Sequence, residues 1–270
     1  MKSSDRIIAL QSRAVVEVSG PDWRSFLQGL ITNDVEMLAP GGVRFAALLT
    51  PQGRVLFDLF VIGGDGGCLI DVAADRRDDF VQRLKLYRLR ARVEIRPLEL
   101  GVFAILDAGA AAPGWVVDPR HPALGVRGYT ADGAADDPEI AYDAWRMTLG
   151  VPGPDDWGSD KRYPIEADFD LLNGIDFRKG CFVGQETTSR MKRRGSIRSR
   201  MLPILFDGPA PAAGSEILAG TLRAGEVLSG LPGLAMALVR LDRIEGQALT
   251  VDGRPVRTMI PEWMPREPSR

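Results

Sequence analysis

Cys181 is the residue in this chain best placed to do chemistry. It lies between glycines in Lys179-Gly180-Cys181-Phe182-Val183-Gly184-Gln185-Glu186, a segment that directly follows Arg178. The thiolate is the nucleophile and metal ligand, and neighbouring cations or backbone N–H groups lower a thiol's pKa. Arg178 and Lys179 therefore favour the thiolate, and Gly180 and Gly184 let a ligand approach the backbone closely. The plainer reading is a small buried hydrophobe. Gln185 and Glu186 offer hydrogen-bonding groups beside the thiol, or else a helix cap and an ion pair with Arg190. The second cysteine, Cys68, falls in an apolar run and reads as core, too far along the chain to form a redox or zinc motif with Cys181. The single histidine, His121, sits in the proline-flanked turn Asp118-Pro119-Arg120-His121-Pro122. Serine–histidine hydrolysis and histidine-ligated zinc would both depend on it, so both are set aside and no resident metal is expected.

Charge is segregated along the chain. Residues 178–200 hold eight Lys/Arg against one acid, Glu186, which makes this stretch +7 in a protein of net charge −2. It reads either as a solvated arm or as an anion-docking surface in which Arg190, Arg193 and Arg194 take part. No aromatic residue follows Phe182 in that stretch, so a base-stacking platform for direct nucleic-acid binding is not expected. The 270 residues, 45% hydrophobic and 26% charged, suit a globular protein with a sizeable core. No apolar run is long enough to span a membrane. Met1 to Arg6 lead into a strand-like run with neither a signal-peptide core nor an Arg/Ser-rich transit pattern, so a cytoplasmic location is expected.

The elements that must hold these residues are mixed. Trp23, Phe26, Leu27 and Leu30 follow Ser19-Gly20-Pro21-Asp22 at helical spacing. Val43 to Thr50 and Arg54 to Ile62 are strands joined by Pro51-Gln52-Gly53, with Asp58 mid-strand. Cys68 to Ala73 is a strand, Asp75 to Leu89 a helix facing the core with Phe80, Leu84 and Tyr87, and Arg92 to Arg96 a strand. Val102 to Leu106 and Trp115 to Asp118 are strands, and Glu139 to Leu149 is a helix ended by Gly150-Val151-Pro152. After Arg200 come short β-type runs divided by Gly and Pro: Leu202 to Phe206, Glu216 to Leu218, Leu222 to Ser229, Leu234 to Leu241 and Ala248 to Val251. The fold class is therefore α+β, with a body over residues 1–200 and a small C-terminal β-barrel or sandwich over 201–270.

Lys179 to Glu186, continued through Thr187-Thr188-Ser189-Arg190 to Arg194-Gly195, resembles the signature of the YgfZ family of folate-binding proteins, whose mitochondrial relatives assist iron–sulfur cluster assembly. The resemblance extends to Phe26 to Val35, to Pro51-Gln52-Gly53-Arg54, to Leu86-Tyr87-Arg88-Leu89-Arg90 and to Asp118-Pro119-Arg120. It implies the fold of the glycine-cleavage aminomethyltransferase: a folate-binding body with a central channel, followed by a β-barrel.

Two chemistries follow from that resemblance. The aminomethyltransferases anchor the pterin with a glutamate where this chain has Thr148, in Arg146-Met147-Thr148-Leu149-Gly150, and their paired aspartates correspond here to Phe57-Asp58. A hydroxyl offers a weaker contact than a carboxylate, and one acid is lost, so a folate-dependent aminomethyltransferase or demethylase is the second choice. The first is a tetrahydrofolate-binding accessory protein for assembly or repair of four-iron enzymes, including tRNA-modifying ones, and not an enzyme in the strict sense. Cys181 would ligate a transient cluster, Lys179 would lower its pKa, and assembly proteins and client enzymes would be its partners. Asn33, Arg54, Asp58, Asp71, Arg193 and Arg194 are the candidates for folate.

Overall fold

The structure, a computed structural model, describes residues 6–106, 114–194 and 197–265. Its centre is the predicted hairpin of β3 (Val43–Leu49) and β4 (Val55–Gly63), turned through Gly53 at φ +86°. The hairpin belongs to an antiparallel five-stranded sheet, β3-β4-β5-β2-β6, completed by β5 (Gly67–Ala73), β2 (Arg13–Ser19) and β6 (Glu94–Leu98). Side chains alternate across a strand, and here both faces are covered, which explains the nearly unbroken apolar runs. Leu48, Leu59 and Ile70 meet Trp23 and Leu27 of α1 (Trp23–Gln28) and Phe80 and Leu84 of α2 (Arg77–Arg88). Phe45, Phe60 and Ile62 face the opposite layer, with Ile165, Phe169, Phe182 and Met201.

A second antiparallel sheet, β1-β7-β9-β8, comprises Ile7–Ala9, Gly101–Ile105, Val126–Thr130 and Trp115–Val117, with α3 (Ile140–Thr148) contributing Tyr142 to its core. Strands β2 and β9 were not among the elements read from the sequence. Each carries an arginine on a buried face, Arg13 and Arg127, which hides the apolar alternation.

The last strands form a closed barrel in the order β10-β13-β12-β11-β14-β15. Its members are Ser199–Leu205, Leu234–Arg240, Leu222–Leu231, Glu216–Ala219, Leu249–Val251 and Arg254–Thr258. β15 closes the ring by pairing Thr258 and Arg257 with Ile204 and Leu205 of β10. Arg-Pro-Val-Arg-Thr lacks an apolar pattern, and this strand too escaped the sequence. The architecture is α+β, with a two-sheet body and a terminal six-stranded barrel. No described helix is long and apolar enough to cross a membrane.

Arg200 ties the barrel to the body. Its guanidinium donates to Ile165 O at 2.6 Å, Asp168 Oδ1 at 3.0 Å and both oxygens of Asp170. Burial pushes the Asp168 carboxyl well above the ordinary carboxylate range, in spite of Arg200.

Candidate functional site

The segment Gly29-Leu30-Ile31-Thr32-Asn33-Asp34 after α1 forms a seam with residues 173–179. Thr32 Oγ1 donates to Gly174 O at 2.6 Å, Asp176 N donates to Thr32 O at 3.0 Å, and Asn33 Nδ2 donates to Phe45 O and Asn173 O, both at 2.7 Å. The last carbonyls of a helix have no partner within it and need one from outside. Lys179 supplies it. Its buried ammonium donates to Gln28 O at 2.8 Å, Ile31 O at 2.6 Å and Asn33 O at 3.0 Å. Burial lowers the Lys179 pKa to about 8, although Asp34, Asp176 and Glu36 oppose the fall.

Beyond Lys179 the chain rises to the surface and returns. Gly180 borders open space and Cys181 is exposed, whereas Phe182 is buried against the layer that holds Phe169 and Met201. Val183 packs on the opposite layer, the core that includes Leu27 and Leu84. Gly184 then adopts φ +80°, and a Cβ there would lie 2.7 Å from Thr50 O. The glycines of the motif thus differ in role: Gly184 is required by the 50–54 turn, and Gly180 leaves the approach to the thiol open. The result is a solvent-facing thiol held between two buried anchors, Lys179 and Phe182.

Helix α4 (Gln185–Arg194) follows, fastened by Thr188 and by the pair Lys192–Asp170 at 3.3 Å. The basic run is therefore a docked helix up to Arg194, and Glu186, Arg190 and Arg193 are exposed on it. Gln185, Glu186, Ser189, Lys192 and Arg193 line an open depression of about 490 Å³ with Phe177. Phe177 also borders a second depression of about 540 Å³, lined by Asn33, Arg44, Phe45, Pro119, Asn173 and Arg178 among others. Gly195 lies outside the described residues.

The remaining candidates are dispersed. Arg54 donates to Lys161 O at 2.6 Å and stacks on Tyr163. Asp58 and Asp71 lie in a closed network between the two sheets. Arg13 pairs with Asp58 at 2.8 Å and Asp71 at 2.6 Å, Arg127 pairs with Asp71 at 2.6 Å, and Arg120 pairs with Asp118 at 2.8 Å. Tyr142 Oη accepts from both Arg120 and Arg127. All three guanidiniums surround the Phe60 ring, Arg127 at 4.0 Å from its centroid. Thr148, at the pterin-anchoring position, is exposed and donates its hydroxyl to Trp145 O at 2.6 Å. Sequence reasoning missed Arg13, Arg127 and Tyr142, because their partners lie elsewhere along the chain, and it did not read Arg120 as paired with Asp118 two residues earlier. Asp118-Pro119-Arg120, noted as a motif, was the available signal.

Cys68 is buried in β5, where burial pushes its thiol up to about 12. Among the described residues no three His, Cys, Asp or Glu side chains gather as a metal site. A cluster handled here would have to take most of its ligands from another molecule, since four-iron clusters are generally held by four thiolates.

Residues 198–266 match the family described as the CAF17 C-terminal β-barrel domain. The chain is 31% identical to the human iron–sulfur cluster assembly factor IBA57, mitochondrial, covering 95% of this chain and 84% of that protein. It is 33% identical to the IBA57 homolog of Pyricularia oryzae, with 93% and 75% covered. Against the Neurospora crassa homolog it is 35% identical over 75% of its own length but spans 54% of that relative. The aminomethyltransferase T of the Bartonella henselae glycine cleavage system superposes with a TM-score of 0.78 at 16% identity, covering 96% of this chain and 86% of that one, which shows the fold alone. The cytoplasmic expectation is corrected by these relatives, which are named as mitochondrial proteins. It rested on the first few residues, and a folded body does not encode its compartment. The resemblance first read from the Cys181 motif holds for the assembly-factor relatives, and the chain belongs to the IBA57 family of iron–sulfur cluster assembly factors.

Proposed function

We propose that this protein serves iron–sulfur cluster assembly by presenting Cys181 as a ligand for a cluster in transit. The observation that carries this reading is the exposed thiol fixed between buried Lys179 and Phe182. Ligation releases the thiol proton to solvent as sulfur donates an electron pair to iron, and the remaining iron ligands come from the protein that brings or receives the cluster. Four-iron enzymes, tRNA-modifying ones included, are the clients. Lys179 acts as a positioning residue, because its three N–H groups are engaged by carbonyls.

In cells lacking the protein, wild type should restore four-iron enzyme activity and a cluster-dependent tRNA modification. Cys181→Ser should restore under about a tenth of either at equal protein level and unchanged Tm, as expected when a ligand and not a core group is lost. Full rescue by the serine variant would sink the proposal.

Tetrahydrofolate is proposed as a ligand of the depression between Asn33 and Arg178. Phe177 gives it an aromatic wall, and Arg44 and Arg178, against the one carboxylate Asp176 that pairs with Arg178 at 3.8 Å, would meet the charge of a glutamate tail. Bound there, folate would supply a reduced pterin near the Cys181 loop. Asp58 and Asp71 are committed to Arg13 and Arg127, so they support the body, and Arg54 lies away from this depression. The double variant Arg44→Glu/Arg178→Glu should weaken folate binding about tenfold or more by calorimetry, since it replaces attraction with repulsion. Unchanged affinity would place any folate elsewhere. Aminomethyl transfer is disfavoured as the activity, because the remaining carboxylate on β4, Asp58, is ion-paired with Arg13.

A further inference from the structure

The end of α2 carries Leu86-Tyr87-Arg88-Leu89-Arg90, a stretch that the Cys181 site does not use. Residues 88–91 form a turn closed by Ala91 N donating to Arg88 O at 2.7 Å, and Leu89 has φ +44° and ψ −106°. These angles suit the first central position of a type II′ turn, which glycine normally fills because a Cβ is disfavoured there. Leu89 is nevertheless 87% exposed, and Leu86, three residues earlier, is 71% exposed. The folded chain by itself gains nothing from a leucine at 89. Its backbone is strained and its side chain is wet.

Around this apolar tip stand Arg83, Lys85, Arg88 and Arg90, all exposed and in no ion pair among the described residues. The neighbouring arginines are engaged: Arg76 by Asp79, Arg77 by Glu99, Arg92 by Asp22 and Arg96 by Glu17. An apolar centre inside a charged rim has the anatomy of a protein-docking site, and the sign of the rim selects the sign of the partner. Two leucines on one turn are too small a face to hold a membrane surface, and the tip has no exposed aromatic residue to stack on a base. Tyr87 and Ala91 pack on the same core layer as Val183, so the tip and the Cys181 loop border one layer of the body.

We propose that Leu86 and Leu89, flanked along the chain by Arg83, Lys85, Arg88 and Arg90, dock an amphipathic helix of a protein partner whose leucine stripe is bordered by Asp and Glu. That this partner exchanges clusters with Cys181 rests on the function proposed above; the surface itself does not.

The test uses the full chain and a synthetic acidic amphipathic helical peptide of about 20 residues, with leucines at helical spacing flanked by glutamates, read by fluorescence anisotropy. Leu86→Ser/Leu89→Gly should weaken binding about tenfold with Tm unchanged or raised, because the turn is relieved. Arg88→Glu/Arg90→Glu should weaken it similarly, and wild-type binding should fall with salt. Cys181→Ser should bind as wild type does, so loss of docking and loss of thiol function read out separately. The proposal is overturned if the peptide fails to bind or binds the leucine variant equally well. Equal binding of a scrambled peptide would show charge attraction alone, and capture by anionic phospholipid vesicles in place of the peptide would reassign the tip to a membrane. Either would also overturn it.

Discussion

Asp71→Asn should cost roughly 3–5 kcal/mol of folding stability, the range for removing one partner of a buried ion pair. Asp71 is fully buried and accepts from Arg13 at 2.6 Å, from Arg127 at 2.6 and 3.2 Å, and from Tyr129 Oη at 3.2 Å. Arg13, Arg120 and Arg127 balance Asp58, Asp71 and Asp118, so the network is neutral as built. Without the Asp71 charge, Arg127 keeps Asp118 at 3.6 Å as its nearest carboxylate, and its charge is left largely uncompensated between two sheets. Asp58→Asn should cost less, because Arg13 retains Asp71. Burial alone would raise the Asp71 pKa, but Arg127 and Arg13 override it and hold the carboxyl below its ordinary value. A depressed folded pKa means that the stabilisation is present above the unfolded value and lost as pH falls through the folded one. The gap between wild type and Asp71→Asn in urea unfolding should therefore be full at neutral pH and shrink in strong acid. A variant that stays as stable as wild type and loses folate affinity would instead make Asp71 a ligand.

The hairpin of β3 and β4 was legible because strands covered on both faces are apolar throughout, and Pro51-Gln52-Gly53 marks the turn. The barrel strands were legible up to β15, whose single buried residue, Val256, leaves no alternation to read. Arg13, Arg120 and Arg127 were not, since a buried arginine looks like a surface one until its carboxylate is located. For Arg13 those partners are 45 and 58 residues away. The Cys181 motif could be picked out by residue type, but its division of labour could not. Lys179 reads as a cation acting on the adjacent thiol, and its partners prove to be backbone carbonyls 146 to 151 residues away, which no side-chain pattern announces.

Lys179→Met should therefore unfix the motif. An ammonium has three donors in tetrahedral array, and here each meets one carbonyl, at Gln28, Ile31 and Asn33. Methionine keeps the stem and orphans all three acceptors, at on the order of 1 kcal/mol or more each, so a loss of about 3 kcal/mol is expected. Lys179→Arg should not rescue, because a planar fork cannot satisfy a tripod of acceptors at the end of a single-nitrogen cavity. Both variants should lose Cys181 function as well, since the thiol stands two residues beyond the anchor; alkylation of Cys181 should follow a single rate in wild type and several rates in either variant. Because burial lowers the folded Lys179 pKa to about 8 from an ordinary 10.5, the unfolded chain binds the extra proton between those values. Deprotonation removes one of the three donors but relieves the larger cost of burying the charge, so stability from this group should rise with pH across that window, and the difference between wild type and Lys179→Met in urea unfolding should widen from pH 8 to pH 10. If Lys179→Met matched wild type in stability, in alkylation kinetics and in cluster-enzyme rescue, Phe182 and Gly184 alone would be holding the loop. Lys179 would then be a bystander to the thiol.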